Sequence, residues 1–187
     1  MIVVKLGGSL AKSDALIKCL NSVEKNYLRG DVVIVPGGGA FADQVRLAQQ
    51  HWQFDDQTAH RMAILAMQQM ALLFKGLKSQ FAIASSLTDI YQQLNQQKIV
   101  IWSPGITELD NAGIQATWAI TSDSLAAWLS GILSAKELIL VKSAMIDPGF
   151  NLQEFADLNI IDSAFCDFIA CSSFKINIVN EIEFSKR

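Results

Sequence analysis

A strand that ends in a lysine and two glycines opens this chain: Ile2-Val3-Val4-Lys5-Leu6-Gly7-Gly8-Ser9. The pattern returns as Val32-Val33-Ile34-Val35-Pro36-Gly37-Gly38-Gly39. Glycines at the end of a buried strand let the backbone come close to a ligand, because no Cβ intervenes. Their successive N–H groups form an anion-binding nest suited to phosphate. Lys5 places a fixed positive charge beside the first nest. Between the two loops, Leu16, Leu20, Val23 and Tyr27 recur at helical spacing. That spacing predicts a helix over residues 13–28, stopped by Gly30-Asp31. Strand, helix, strand is a right-handed βαβ unit with parallel strands. Both loops then fall at the carboxyl edge of one sheet, where open α/β folds bind ligands. The chain contains no G-x-x-x-x-G-K-[ST] run, and its first loop is not G-x-G-x-x-G.

The 187 residues suit one domain, residues 1–187. The apolar fraction is 51%, as expected of a sheet covered on both faces. A net charge of −3 with scattered basic residues argues against a nucleic-acid surface. No apolar run reaches membrane-spanning length, and no basic segment leads into an apolar one at the start, so a cytoplasmic protein is expected. The three cysteines, Cys19, Cys166 and Cys171, are then reduced packing residues. The C-x₄-C spacing of the last two, with no second pair, is poor zinc chemistry, and no metal ligand set is assigned.

Further along, Asp55-Asp56 precede a long helical pattern from Ala59 to Phe74. Short strands are expected at residues 81–84 and 99–102, with a helix at 86–97 between them. Residues 103–118 read as one long loop, a length that is usually functional or disordered. Thr121-Ser122-Asp123-Ser124 starts a helix running to Leu133. Leu138 to Val141 is a buried strand ending at Lys142, followed by a helical piece near 161–168 and a last strand at 176–179. The alternation predicts a mainly parallel sheet with helices on both faces.

Several side chains could carry chemistry. Lys5 and Lys142 each end an apolar strand, where a charge needs a partner or a ligand. Asp123 lies in a helical first turn, where acids are common and where Thr121 or Ser122 could cap. Together, two lysines and one aspartate beside glycine nests suit a transferring phosphoryl group. Asp43 and Arg46 follow the second loop at helical spacing and pair with each other or reach a substrate. His60 is either a satisfied half-buried histidine or a pocket residue. Trp118 either fills the core or lines a pocket.

Three motifs resemble the amino acid kinase superfamily: Val4-Lys5-Leu6-Gly7-Gly8-Ser9, Val35-Pro36-Gly37-Gly38-Gly39 and Thr121-Ser122-Asp123-Ser124-Leu125-Ala126-Ala127. The resemblance implies a three-layer αβα sandwich and transfer of the ATP γ-phosphoryl group, with Mg²⁺, to a phosphate or carboxylate acceptor. It implies that Lys5 stabilises the transferring group and that Asp123 orients the lysines. Gly7, Gly8, Ser9, Gly37, Gly38, Gly39 and Ser122 become phosphate or nucleotide contacts. Asp43, Arg46, His60 and Trp118 become substrate contacts. A homodimer or larger assembly is also implied.

The Pro36-to-Asp43 loop, the His60-Arg61-Met62-Ala63 helix and Trp118-to-Asp123 are similar to a short branch of the superfamily. That branch is linked to methanofuran and tetrahydromethanopterin C1 metabolism, and it phosphorylates an aminomethylfuran-methyl phosphate to the diphosphate. The chain departs from many superfamily members in two places. Lys142-Ser143-Ala144 replaces an Asp-Gly turn, and no clear second catalytic lysine follows in what reads as a shortened nucleotide-binding part. Lys175 lies in a different context. Three functions therefore stay open: a kinase acting on a phosphate monoester, a kinase forming an acyl phosphate, and a ligand-binding or regulatory subunit with the kinase fold.

Overall fold

Six parallel strands form one sheet in the computed structural model, which describes residues 1–27 and 31–187. The strands are β1 (Ile2–Leu6), β2 (Val32–Pro36), β3 (Ala82–Ala84), β4 (Val100–Trp102), β5 (Glu137–Lys142) and β6 (Lys175–Asn180). Their spatial order is β3-β4-β2-β1-β5-β6. Every recorded strand pair is parallel. The chain steps outward from β1 to β2 and beyond, then crosses back to place β5 on the other side of β1. Such a reversal leaves a crevice at the carboxyl ends of β1 and β5, where ligands bind in folds of this type.

Strand alternation divides the core. Val3 of β1 and Leu138 and Leu140 of β5 face one cluster. Val4, Leu6, Ile139 and Val141 face the other. The first cluster is closed by α4 (Leu87–Asn95), α6 (Ser122–Ile132), α7 (Leu152–Asp157) and α8 (Phe165–Ile169), through Ile90, Leu125, Phe155 and Phe165. The second is closed by α1 (Ala15–Asn26) and α9 (Glu181–Ser185), through Leu16, Leu20, Val23 and Phe184. The long α3 (Asp56–Leu77) serves both, with Ile64 and Met67 on one side and Met70 and Phe74 on the other. The expected αβα sandwich is therefore present.

Helix starts follow local chemistry. The Asp55 carboxylate accepts from the Thr58 N–H at 2.7 Å and caps α3. Asn151 and Glu154 form a reciprocal capping box on α7.

Four sequence expectations change. The helix expected over 13–28 closes at Asn26, and its expected stop at Gly30-Asp31 involves residues 28–30, which lie outside the described residues. The long loop contains a helix, α5 (Ile106–Asn111), held to α3 by an Arg61–Asp110 ion pair at 2.9 Å and by Gln68 donating to the Pro104 carbonyl. The helical piece expected near 161–168 is α8, and α7 ahead of it left no sign in the sequence. Finally α9, unexpected from sequence, is capped by Asn180 and buries Phe184 against α1.

Candidate active site

Period-2 alternation aims the two lysines. Lys5 is two residues beyond Val3 and Lys142 two beyond Leu140, so both project from the α6 face of the sheet. Strand β1 pairs with β5 in register Lys5 to Leu140, which places the two ammonium groups side by side at the carboxyl edge. Asp123, in the first turn of α6, lies between them. Its Oδ1 is 2.9 Å from Lys5 Nζ and its Oδ2 is 2.5 Å from Lys142 Nζ. Asp123 is 3% exposed and Lys5 4% exposed. Burial alone would raise the Asp123 carboxyl, but the charges of Lys5 and Lys142 reverse that and hold it down at about 2. Burial lowers Lys142 to about 8, helped by the neighbouring charge of Lys5 and opposed by Asp123. With both lysines charged, the trio carries one net positive charge.

Asp162, which the sequence reading passed over, holds the start of α6. Its carboxylate accepts from the Thr121 N–H (2.8 Å), the Thr121 hydroxyl (2.5 Å), the Ser124 N–H (2.9 Å) and the Ser124 hydroxyl (3.0 Å). It therefore does the capping expected of Thr121 or Ser122, neither of which caps α6 through its own side chain. Burial and the nearby Asp123 raise its pKa. Its partners are 38 and 41 residues away in sequence, so no local capping signal could reveal it.

The glycine loops touch each other. A Cβ on Gly8 would lie 2.2 Å from the Gly39 nitrogen, and one on Gly37 would lie 2.5 Å from the Gly8 nitrogen. Gly39 has a φ of +56°, a left-handed conformation that glycine adopts without strain. Two of the loop N–H groups are already satisfied within the protein. Gly7 donates to the Val141 carbonyl at 3.0 Å and Gly37 to the Leu6 carbonyl at 2.9 Å, extending the sheet. Gly8, Ser9, Gly37, Gly38 and Gly39 line the cleft. The first loop runs into a 3₁₀ turn (Gly8–Lys12) and the second into α2 (Gly39–Trp52). Ser9 also shares a 2.8 Å hydrogen bond with the Ser143 hydroxyl after β5.

Two clefts meet here. One, of about 220 Å³, runs from the glycine loops along α3, with Ile64, Met67, Ile120 and Leu125 as apolar walls. Ser122, Asp43, His60 and Trp118 line it too. The other, of about 440 Å³, contains Lys5, Asp123, Lys142 and Asp162. Arg46, Trp118 and Thr121 line both clefts and form their common wall. The Arg46 guanidinium lies 4.3 Å from the Trp118 ring centre, a cation–π contact. The Trp118 indole N–H donates to Gln49 Oε1 at 2.6 Å. Asp43 pairs with Lys12 at 3.5 Å, so the expected Asp43–Arg46 pairing is not the one that forms. His60 is 7% exposed, its Nε2 has no hydrogen-bond partner among the described residues, and burial lowers its pKa. Lys175 lies at the opposite edge of the sheet, where it pairs with Glu137 at 3.6 Å.

Known proteins are similar to this chain in sequence and in fold. The chain is 29% identical over 191 residues to the (5-(aminomethyl)furan-3-yl)methyl phosphate kinase of Methanocaldococcus jannaschii, a match covering 95% of this chain and 85% of that one. Its structure resembles the uridylate kinase of Archaeoglobus fulgidus with a TM-score of 0.73 at 18% identity, covering 99% of this chain and 94% of that one. It resembles the UMP kinase of Ureaplasma parvum with a TM-score of 0.72 at 17% identity, covering 96% and 88%. The profile of the amino acid kinase family matches residues 1–144, the stretch that carries both glycine loops and the Lys5–Asp123–Lys142 trio, and the chain belongs to that family.

Proposed function

We propose that this chain is an ATP-dependent kinase that phosphorylates a phosphate monoester to a diphosphate. The carrying observation is the buried Lys5–Asp123–Lys142 trio, next to the wall that the two clefts share. The cleft with apolar walls along α3 suits an organic acceptor. The wetter cleft, which holds the trio, suits the nucleotide phosphates. An acceptor phosphate oxygen attacks the γ-phosphorus, a new P–O bond forms, and the bond to the bridging oxygen of ADP breaks. The acceptor is already ionised at neutral pH, so the step needs no general base. What it needs is charge stabilisation on the equatorial oxygens and an in-line geometry. Lys5 and Lys142 supply the charge, Asp123 fixes their spacing, and Gly8, Ser9, Gly38 and Gly39 cradle phosphate oxygens. Arg46 steadies the acceptor phosphate from the shared wall.

No cluster of three or more potential metal ligands occurs among the described residues. Asp162 already accepts four hydrogen bonds, and Asp123 faces two lysines. A Mg²⁺ ion here would rely on the nucleotide phosphates and water, both common ligands of this ion. In this reading residues 1–187 work as one domain. Residues 143–187 are its reduced nucleotide-binding part, and Lys142 replaces a more distant second lysine. Exposed leucines of α3 (Leu65, Leu72 and Leu77) support a homodimer or larger assembly. No helix among the described residues is long and apolar enough to cross a membrane. A cytoplasmic place in C1-carrier biosynthesis fits the aminomethylfuran relative.

The test is a panel of phosphate monoesters and amino-acid carboxylates with MgATP, read by ³¹P NMR. The expected product shows two coupled phosphorus doublets. A hydroxylamine-trapped acyl phosphate would move the reading to a carboxylate kinase. ATP binding without turnover of any acceptor would move it to a regulatory subunit.

A pH dependence follows. The active trio needs Lys142 charged, and a lysine held at about 8 loses its proton as the pH rises through that value. We expect kcat/KM, which reports the free enzyme, to fall above about pH 8. With both phosphates bound, their negative charge raises Lys142, so kcat should fall only at higher pH. Coincident alkaline limbs for the two parameters would exclude Lys142 as the titrating group.

A further inference from the structure

We propose that Asp162 is a positioning residue for the phosphoryl transfer: it clips the segment from Asn159 to Ala164 onto the start of α6, and it supplies a second carboxylate to the field in which Lys142 works. This rests on the kinase reading above and assigns a part in it to the chain beyond Lys142.

The segment is anchored in the core. Ile161 is 3% exposed and Phe165 0% exposed, and both belong to the first core cluster. Between them the backbone passes beside the trio, where Asn159, Ile160, Asp162 and Ser163 line the same cleft. The Ala164 N–H donates to the Ala119 carbonyl at 3.2 Å, and the Asp162 carboxylate reaches Thr121 and Ser124. The segment is thus fastened at two points to residues 119–124. That stretch follows Trp118 of the common wall and contains Asp123. Asp123 lies between the two residues that Asp162 grips, so a displaced clip would move the carboxylate that both lysines share.

A helix start needs only a neutral acceptor, and a serine or threonine side chain would serve. Here a charged group is brought from far along the chain to stand near another carboxylate. Burial and Asp123 oppose its ionisation, while its bonds to Thr121 and Ser124 and the charge of Lys5 favour it. The charged groups around it are Asp123 of α6, Lys5 of β1, Lys142 of β5 and Arg46 of α2, which lines the same cleft. In the trio alone two lysines face one carboxylate; with Asp162 they face two. Asp162 stands with Asp123 among the charges that help Lys142 keep its proton. Its role is therefore electrical as well as mechanical.

Two variants separate those roles. Oδ2 accepts from both N–H groups and from the Ser124 hydroxyl, whereas Oδ1 accepts only from the Thr121 hydroxyl. An asparagine with its oxygen in the Oδ2 place keeps the first three bonds. Its NH₂ then donates to the Thr121 oxygen, because a hydroxyl also accepts. Asp162→Asn therefore keeps the clip and removes the charge, and Asp162→Ala removes both.

The experiment uses the full chain, MgATP and the aminomethylfuran-methyl phosphate. The alkaline limb of kcat/KM is followed in the wild type and both variants, with urea melts to report the stability of each. Asp162→Asn should retain most of the neutral-pH kcat, while its limb moves below the wild-type position near 8. Asp162→Ala should show the same shift and lose kcat by about 100-fold, the cost of misplacing a reacting group by about 1 Å. A purely structural cap would lower stability and leave the limb where it is. An unmoved limb in Asp162→Asn, or an Asp162→Ala protein that is less stable but as fast as wild type, would overturn the assignment and leave the kinase reading in place. If Asp162→Ala does not fold, the limb of Asp162→Asn decides alone. No turnover by the wild type with this or any other acceptor would overturn both.

Discussion

Asp123→Asn is expected to lose activity by 100-fold or more and, at neutral pH, to lose about 3 kcal/mol of stability or more. The size of the second effect comes from burial. Asp123 is 3% exposed and faces two lysine ammonium groups. Removing one partner of a buried ion pair strands the other, which is far costlier than losing a surface pair. Here two cations are stranded together. An amide keeps the shape but cancels neither charge. On position alone, Asp123 would be a helix-cap residue whose amide variant changes stability little. The geometry reverses that expectation, because Asp162 does the capping and Asp123 serves the lysines.

The pH dependence separates the two accounts. In the variant, Lys142 loses the partner that opposes its desolvation, so its folded value moves further below about 8. Its unfolded value is the ordinary 10.5. Between those values the unfolded chain binds more protons than the folded one, so stability rises with pH. The wild type gains with the same slope once the pH exceeds about 8, so the deficit of the variant should shrink as the pH rises to about 8 and level off above it in urea melts. A deficit that is independent of pH would mean that Asp123 acts through packing or capping alone.

Much of this site was legible because it obeys short-range periodicity. Lys5 and Lys142 each end an apolar strand, and strand alternation assigns both to one face. Asp123 opens the helix that covers that face. The glycine runs were visible as well, but part of their reason was not. Gly8, Gly37 and Gly39 are needed for two loops to pack backbone against backbone, a contact between segments about thirty residues apart. Asp162 was hidden for the same reason: it caps a helix almost forty residues before it in the chain. Arg46 was read as pairing with Asp43 one turn away or reaching a substrate, and its guanidinium lies over Trp118 from the loop before α6. The short helices α5, α7 and α9 span five or six residues each, too few for a 3.6-residue period to show.

Lys5→Ala carries the other large expectation. One preorganised donor aimed at developing charge is worth about 10²–10³ in kcat, and Lys5 is such a donor at the edge where the strands end. The fold should survive, since Asp123 keeps Lys142 as its partner at 2.5 Å and Asp162 still holds α6. The loss of rate alone would not show how Lys5 acts, because any disturbance beside the glycine loops lowers activity. The residual activity carries the distinguishing signal. The charge of Lys5 is one of the two causes that depress Lys142, second to burial. Removing it lets Lys142 hold its proton to higher pH. The alkaline limb of kcat/KM in Lys5→Ala should therefore move above the wild-type position near 8, even as the plateau drops by two to three orders of magnitude. A plateau within a few-fold of wild type would make Lys5 a lysine that merely reaches the sheet edge. A lowered plateau with an unmoved limb would mean that the two lysines do not share one site, and the charge-paired trio would fail as the centre of the chemistry.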